Sequence, residues 1–332
     1  MRKAAGILFA LLTTSSLAAA APGNGHAWVA GRYGIELDGK FAGWVSEVDG
    51  GHAVSDVVVE KVGGDALLKK HIGGVKYEDF TIVVDEVMSP EFYNWVAMAV
   101  DLKTRSKARA NGAIVHTTLD GQVRARREFT DGLITEVSFP ALDAASKDAA
   151  KMTIKFSPER ATTTEPQQPE TIRHRAKAWM VSNFRLRVDG LDEPCRRVNK
   201  IEAIVVKQKI AGGDNNGGGG KPRDYDIEPT KIEFPDLVIT LPESDSKPLS
   251  DWYQTFAKAA QDSKGSDAVE RQGTLELLAE DNKTVLLTVA FHNLGVYGLA
   301  KKGLEAVGDA VKRNVQPQVT ASMYSEGVDF GF

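Results

Sequence analysis

Cysteine is almost absent from this chain: Cys195 stands alone among 332 residues, so no intramolecular disulfide can hold any part of the fold. Stability has to come from core packing and interfaces, with Cys195 either a small buried hydrophobe or a thiol available for an intermolecular bridge. Histidines are few and scattered. His52, His71, His116, His174 and His292 include no i,i+4 pair that could grip a metal from one helix, and Cys195 has no neighbouring cysteine for a zinc site. The chain has no Gly-x-Ser-x-Gly elbow for a serine hydrolase. Gly217–Lys221 has the glycines and lysine of a phosphate loop, but Pro222 and Arg223 follow where a hydroxyl would hold magnesium, so it reads as a flexible hairpin tip. The acid pairs Asp85-Glu86, Asp192-Glu193 and Glu280-Asp281 fall at strand ends, where turn chemistry explains them. A glycosidase needs only two acids brought together in space, so residue types alone leave that class open. No catalytic, cofactor-binding or metal residue is assigned, and the chain reads as a non-enzyme.

Long apolar runs are missing as well, apart from one at the start. Arg2 and Lys3, the stretch Ala4–Leu12 and the small run Leu17–Ala20 read together as a signal peptide over residues 1–20, too short for a mature transmembrane span. The expected destination is therefore export, to a periplasmic, cell-surface or extracellular location. With Arg2 and Lys3 removed, 39 basic residues face 45 acidic ones, a net charge of about −6. That balance argues against a dedicated nucleic-acid binder. The basic run Arg124, Arg126 and Arg127 reads as a solvated strand face, or as a charged surface lining a channel or meeting an acidic neighbour.

What the chain does contain is written twice. Tyr33, Ile35, Leu37, Asp38 and Gly39 form an alternating strand entering a turn, and Phe184, Leu186, Val188, Asp189 and Gly190 repeat it. Val57–Val59 running to Gly63-Gly64 is matched with Ile204–Val206 running to Gly212-Gly213. A short helix follows in each half, with Phe92 and Trp95 set against Leu249 and Trp252. Arg109–Ile114 then answers Arg271–Leu275, Asp120-Gly121 answers Asp281-Asn282, and the run Val123–Phe129 equals Val285–Phe291 in length. Two copies of one supersecondary plan imply two similar domains that pack on each other or on further copies. The expected layout is 21–156 for the first β domain, 157–175 for a Thr- and Pro-rich linker, and 176–332 for the second.

Short β-branched and aromatic runs bounded by Gly, Asp, Asn or Pro dominate both halves. Several alternate at period two, as in Met152, Ile154 and Phe156, which is the mark of antiparallel sheets with one buried face. The fold class is therefore mainly β: two tandem antiparallel barrels or sandwiches, each with one flanking α-helix. Ser89-Pro90-Glu91 is a helix start, and Phe92, Trp95, Val96 and Ala99 form its apolar stripe; Pro248 leads into Leu249, Trp252, Phe256 and Ala259. Both tryptophans read as anchors of a helix on its sheet. Leu304, Val307 and Val311 suggest a further amphipathic helix over Lys301–Arg313.

Both halves resemble the major tail tube protein of contractile-tailed phages, whose fold is shared by the type VI secretion tube. In the first half the resemblance rests on Tyr33–Gly39, Trp44–Gly50, Val62–Gly64, Gly73–Tyr77, Phe80–Ile82 and Trp95. In the second it rests on Phe184–Gly190, Lys231-Ile232, Leu237–Ile239, Trp252 and Val319–Met323. The resemblance implies a small barrel or sandwich that joins its neighbours by sheet edges into a hexameric ring, with a long hairpin, here Val57–Tyr77 and Val205–Ile232, reaching the next ring. Tail tube subunits are single-domain and assemble in the cytoplasm, whereas this chain is read as duplicated and exported. Three chains, each with two domains, would then close a pseudo-hexameric ring. The rival expectation is a monomeric secreted or surface binding module on the same fold.

Overall fold

The computed structural model describes residues 31–61, 68–175, 177–213, 226–261, 269–302 and 316–332. The first half runs through β1 (Arg32–Leu37), β2 (Lys40–Val45), β3 (Glu47–Asp49), β4 (Ala53–Lys61), β5 (Leu68–Tyr77) and β6 (Phe80–Val84) to helix α1 (Pro90–Val100). It continues with β7 (Arg109–Thr117), β8 (Val123–Phe139), β9 (Leu142–Asp143), β10 (Met152–Ser157) and β11 (Arg160–Thr164). The second half has β12 (Phe184–Val188), the short α2 (Asp192–Cys195), β13 (Lys200–Ile201), β14 (Ile204–Gly213), β15 (Asp226–Glu233) and β16 (Leu237–Pro242). Helix α3 (Lys247–Gln261), β17 (Arg271–Leu278), β18 (Val285–Lys302), β19 (Gln318–Tyr324) and β20 (Gly327–Gly331) complete it. The fold is mainly β, as expected.

All strand pairs among the described residues are antiparallel, and the order of strands is the same in the two halves. The first reads β1-β7-β8-β10-β6-β3 with β11 on β8; the second reads β12-β17-β18-β19-β16-β13 with β20 on β18. The irregularities match too. Between Ala110 and Gly112 the pairing of β7 to β8 slips by one residue, and it slips at the corresponding place between Arg271 and Gly273 where β17 meets β18. Both bulges carry a non-glycine residue in the left-handed region two positions after a phenylalanine: Asp131 (φ 50°) after Phe129, and Asn293 (φ 53°) after Phe291. Short polar side chains are the ones that tolerate this backbone, and the kink it produces re-aims the long strand. A second slip recurs where β8 meets β10 and where β18 meets β19. The halves differ beside β1 and β12: β2 pairs with β1, while the segment after β12 turns into α2.

Each phenylalanine after which the bulge begins lies opposite a glycine, Phe129 across from Gly112 and Phe291 across from Gly273. A methyl group on Gly112 would stand 2.8 Å from the Phe129 ring and 2.1 Å from the Glu36 carbonyl, so only glycine fits. Behind this pair the first core is aromatic. Phe80 stacks on Phe156 with centroids 4.9 Å apart, Phe129 lies 4.8 Å from Phe156, and Trp95 meets Phe156 edge-on at 5.3 Å. Ser89 caps α1 by accepting from the Phe92 amide, and Pro90 opens the first turn. The indole N–H of Trp95 donates to the Ala108 carbonyl (3.2 Å), just before β7; that of Trp252 donates to Val269 (2.8 Å), just before β17. One buried ring therefore ties each helix to the start of its neighbouring strand.

Two expectations are corrected. The linker expected over 157–175 is partly sheet: Ser157 ends β10, and Arg160–Thr164 pairs with Thr130–Arg126 of β8. The β-branched run Thr162–Thr164 suits a half-exposed edge strand. The helix expected from Lys301 fails at its first two residues, because β18 continues to Lys302 on β19; 303–313 lies outside the described residues. The signal peptide expected at 1–20 and the Gly217–Lys221 tip also lie outside them. Gly31–Phe332 forms one compact unit, and two strand pairings cross between the halves, β14 with β8 and β13 with β9.

Replacing Trp95 or Trp252 by alanine should each lower unfolding stability by about 3–5 kcal/mol, since a large ring with its hydrogen bond is lost and a cavity remains. Urea unfolding of the two variants checks this, and equal losses are expected because the two rings hold equivalent positions.

Candidate assembly interface

Burial of cross-half contacts begins with four backbone pairs. Ile204, Val205, Val206 and Lys207 of β14 lie opposite Phe139, Ser138, Val137 and Glu136 of β8. Ile204 and Val206 are thereby buried, as are Val137 and Phe139 beneath them, and Phe139 meets Phe330 edge-on at 5.1 Å. Polar groups fix the register. The buried Gln208 amide donates to the Ile134 carbonyl and accepts from Arg105, which also donates to the Thr230 carbonyl. Arg109 grips Glu159 at 2.7 Å, Glu228 at 3.1 Å and the Ile227 carbonyl. A shorter joint lies alongside: Lys200 and Ile201 of β13 pair with Asp143 and Leu142 of β9, and the Lys200 ammonium sits 2.9 Å from Asp143. The hydrogen bond from Lys200 lowers the Asp143 pKa and raises that of Lys200.

The hairpin of the first half has the same construction but no such seat. Ser55 pairs with Val75 and Val57 with Ile72, one residue being skipped on β4 and two on β5; Gln208 pairs with Ile232 and Ile210 with Pro229, with the same count skipped. Counting from this shared bulge, Gly51–Val54 corresponds to Ile204–Lys207. The sequence match of Val57–Val59 with Ile204–Val206 is therefore displaced by six residues. Among the described residues β4 pairs only with β5. Val54, Val57, Val58, Val59, Leu68, Ile72 and Val75 are all exposed, Ile72 at 72%. A two-stranded hairpin is marginal alone in water, and a long apolar edge invites pairing with another chain.

The other candidate residues are dispersed. Arg126 is taken up by Glu36 (3.0 Å) and Glu170 (2.7 Å), and the hydrogen bonds it donates to the Glu36 carboxylate are the main cause of its raised basicity. Arg127 donates to the Gly50 carbonyl, where two successive glycines in the left-handed region turn the chain toward β4. His116 stacks on Tyr33 at 5.0 Å, His292 bridges Gln272 and Asp329, and His71 lies on β5; the structure does not bring these rings together. Among the described residues no group of three or more His, Cys, Asp or Glu could hold a metal. Burial pushes the Cys195 thiol up to about 11, so it stays protonated and packs as a hydrophobe. Sequence reasoning missed Gln208, Arg105 and Arg109 as joint residues. A glutamine alternating with apolar residues on a strand was their one available signal.

No protein-family model and no curated protein matches the chain. Among solved structures it is similar to the anti-feeding prophage cap, a tube-terminating cap, at 17% identity and a TM-score of 0.38, over 46% of this chain and 99% of that one. It is also similar to a chain of the sheath–tube complex of an extracellular contractile injection system, PVC, in the extended state (15% identity, TM-score 0.36, 43% of this chain, 95% of that one). A sheath/tube terminator of the same system gives 17% identity and a TM-score of 0.33 over 40% of this chain and 93% of that one. No helix among the described residues is long and apolar enough to cross a membrane.

Arg109→Ala should cost roughly 2–4 kcal/mol, because it strands Glu159 in a partly buried site and releases β15. Hydrogen exchange should report faster amides in Ile227–Glu233 with β1–β7 unchanged. The Lys200–Asp143 contribution is present above the ordinary aspartate pKa and is lost as pH falls through Asp143's lowered value. Exchange at Ile201 should accelerate over that acid range, and Asp143→Asn should abolish the dependence.

Proposed function

We propose that the chain is a non-enzymatic structural subunit, exported under a leader at residues 1–20, that carries two copies of one tail-tube-like β domain and assembles through sheet edges. The domains are 21–156 and 176–332. Three chains supply six domains and close a ring with threefold and approximate sixfold symmetry. The observation that carries this reading is the joint between the halves: a hairpin of the second half completes a sheet of the first, while among the described residues the strands of the first half's own hairpin pair only with each other. A contact of that kind is heterologous, one surface meeting a different one, and such contacts propagate until a rotation closes them. Shared strand order, shared bulges and the matched Trp95 and Trp252 bonds support descent of both halves from one domain.

The rival reading is a monomeric binding module, favoured by the same exposed apolar hairpin serving as a docking strip for another protein. Sedimentation velocity and native mass measurement on the mature protein separate the two. The expected species has the mass of three chains. A monomer that persists to roughly 100 µM, well above the Kd of a stable interface of standard size, would favour the binding module.

A further inference from the structure

The second half keeps a seat shaped like the one that β14 occupies. With Phe129 matched to Phe291, the segment Glu136–Phe139 of β8 corresponds to Gly298–Lys301 of β18. Glu136–Ser138 has β10 on one side and β14 on the other; Gly298–Lys301 has β19 on one side and, among the described residues, no strand on the other. Leu299 stands where Val137 is buried, yet it is only partly covered. The hairpin that would fill this seat by analogy is β4–β5.

Charge makes the seat selective. In the second hairpin Lys209 faces Glu233 across the strands at 3.5 Å; at the corresponding positions of the first, Asp56 faces Lys76 at 2.9 Å, the same ion pair with its signs exchanged. Glu228, which Arg109 grips, is replaced by His71, preceded by Lys69 and Lys70. The position of Arg109 itself, one residue before the bulge at Ala110, is held in the second half by Glu270, one residue before Arg271. The reversal is thus found on both the hairpin and the seat. The basic second strand of the β4–β5 hairpin is thus like in sign to Arg105 and Arg109 and opposite in sign to Glu270, whose carboxylate also accepts from the Tyr324 hydroxyl.

We infer that β4 of one copy of this chain pairs antiparallel with Gly298–Lys301 of β18 in a second copy, Ala53 opposite Leu299 and Val54 opposite Gly298, with Glu270 facing the Lys69–His71 strand. This rests on the assembly reading above and names its contact. The exchanged charges set the order, first half to second half within a chain and second half to first half between chains, so that hairpins do not compete for one seat. Wrongly matched like charges suppress the alternative.

Cysteine cross-linking in a Cys195→Ser background tests the register. Leu299→Cys mixed with Ala53→Cys should give a covalent two-chain species under mild oxidation, because directly opposed residues lie within disulfide reach. Lys301→Cys mixed with Ala53→Cys, two residues out of register, should not. In the otherwise native chain Glu270→Arg should weaken association about tenfold or more, and adding His71→Glu, which rebuilds the Arg109–Glu228 pairing in the open seat, should restore it. Far-ultraviolet circular dichroism and melting of each variant show that it is folded. A three-chain particle that forms without the 53–299 cross-link, or whose mass is indifferent to Glu270→Arg, overturns the contact and leaves the ring reading standing. Cross-linked open filaments, or rings of another size, uphold the contact and overturn the three-chain ring. A folded mature chain that neither cross-links nor associates overturns both.

Discussion

Unpaired backbone is the constraint on which this structure turns. A β-sheet that is not closed has two edges, each a row of amide and carbonyl groups that water can satisfy but another strand satisfies better. Here the long strands β8 and β18 outrun β7 and β17, since each bends at a bulge and continues beyond it along β10 or β19. The bend requires a residue in the left-handed region, supplied by Asp131 and Asn293. Beyond the bend the strand's far side is open. In the first half β14 fills it, burying Ile204 and Val206 and placing Gln208 where its amide meets the Ile134 carbonyl. Without the overrun there would be no seat, and the second hairpin would stand exposed as the first one does.

The inner core serves this geometry rather than competing with it. Trp95 and Trp252 each fasten a helix to a carbonyl one or two residues before the strand that pairs with the bulged one. Gly112 leaves room for the Phe129 ring and Gly273 for the Leu294 side chain at the point where the register slips. Each device fixes the position of the bend relative to the core, and hence the direction in which the open edge points. A bulge without such anchoring could slide along the ladder, because an apolar alternation shifted by two residues buries the same face.

Much of this was legible in the sequence, and the limits have physical causes. Period-two alternation identified the strands, the Ser89-Pro90-Glu91 start identified α1, and the order of motifs paired Trp95 with Trp252 and Phe129 with Phe291. Hairpin equivalence was not legible, because Val57–Val59 and Ile204–Val206 are both β-branched and a bulge leaves no mark in composition. The structural count shifts that match by six residues. Thr162–Thr164 was read as part of a linker for want of apolar residues, yet an edge strand needs only backbone pairing and β-branched stiffness to hold its place on β8. Lys301 and Lys302 were placed in a helix because their charge and the spacing of Leu304, Val307 and Val311 suit one, but the ladder with β19 outlasts that local preference. Sequence periodicity records which face is buried; it is silent on which of several strands supplies the cover. Gln208, Arg105 and Arg109 went unrecognised for that reason, since their roles exist only between residues 74 to 118 positions apart.

Carrying both halves in one chain changes the energetics of the joint between them. The contact between β14 and β8 is intramolecular, so its strength does not depend on protein concentration, and tethering holds the partners at an effective concentration of roughly millimolar or above. A joint between copies has no such tether and must supply the loss of translational and rotational freedom from its own contacts. The two joints can therefore be made of similar strands and still open at very different concentrations. The exchanged charge signs of the two hairpins bear on this competition: both hairpins belong to one chain, and a seat that accepted either would be contested by the two at comparable effective concentration. With signs reversed, the first half's hairpin is mismatched to the seat beside Arg109 that the second half's hairpin holds, and among the described residues the far side of Gly298–Lys301 carries no strand.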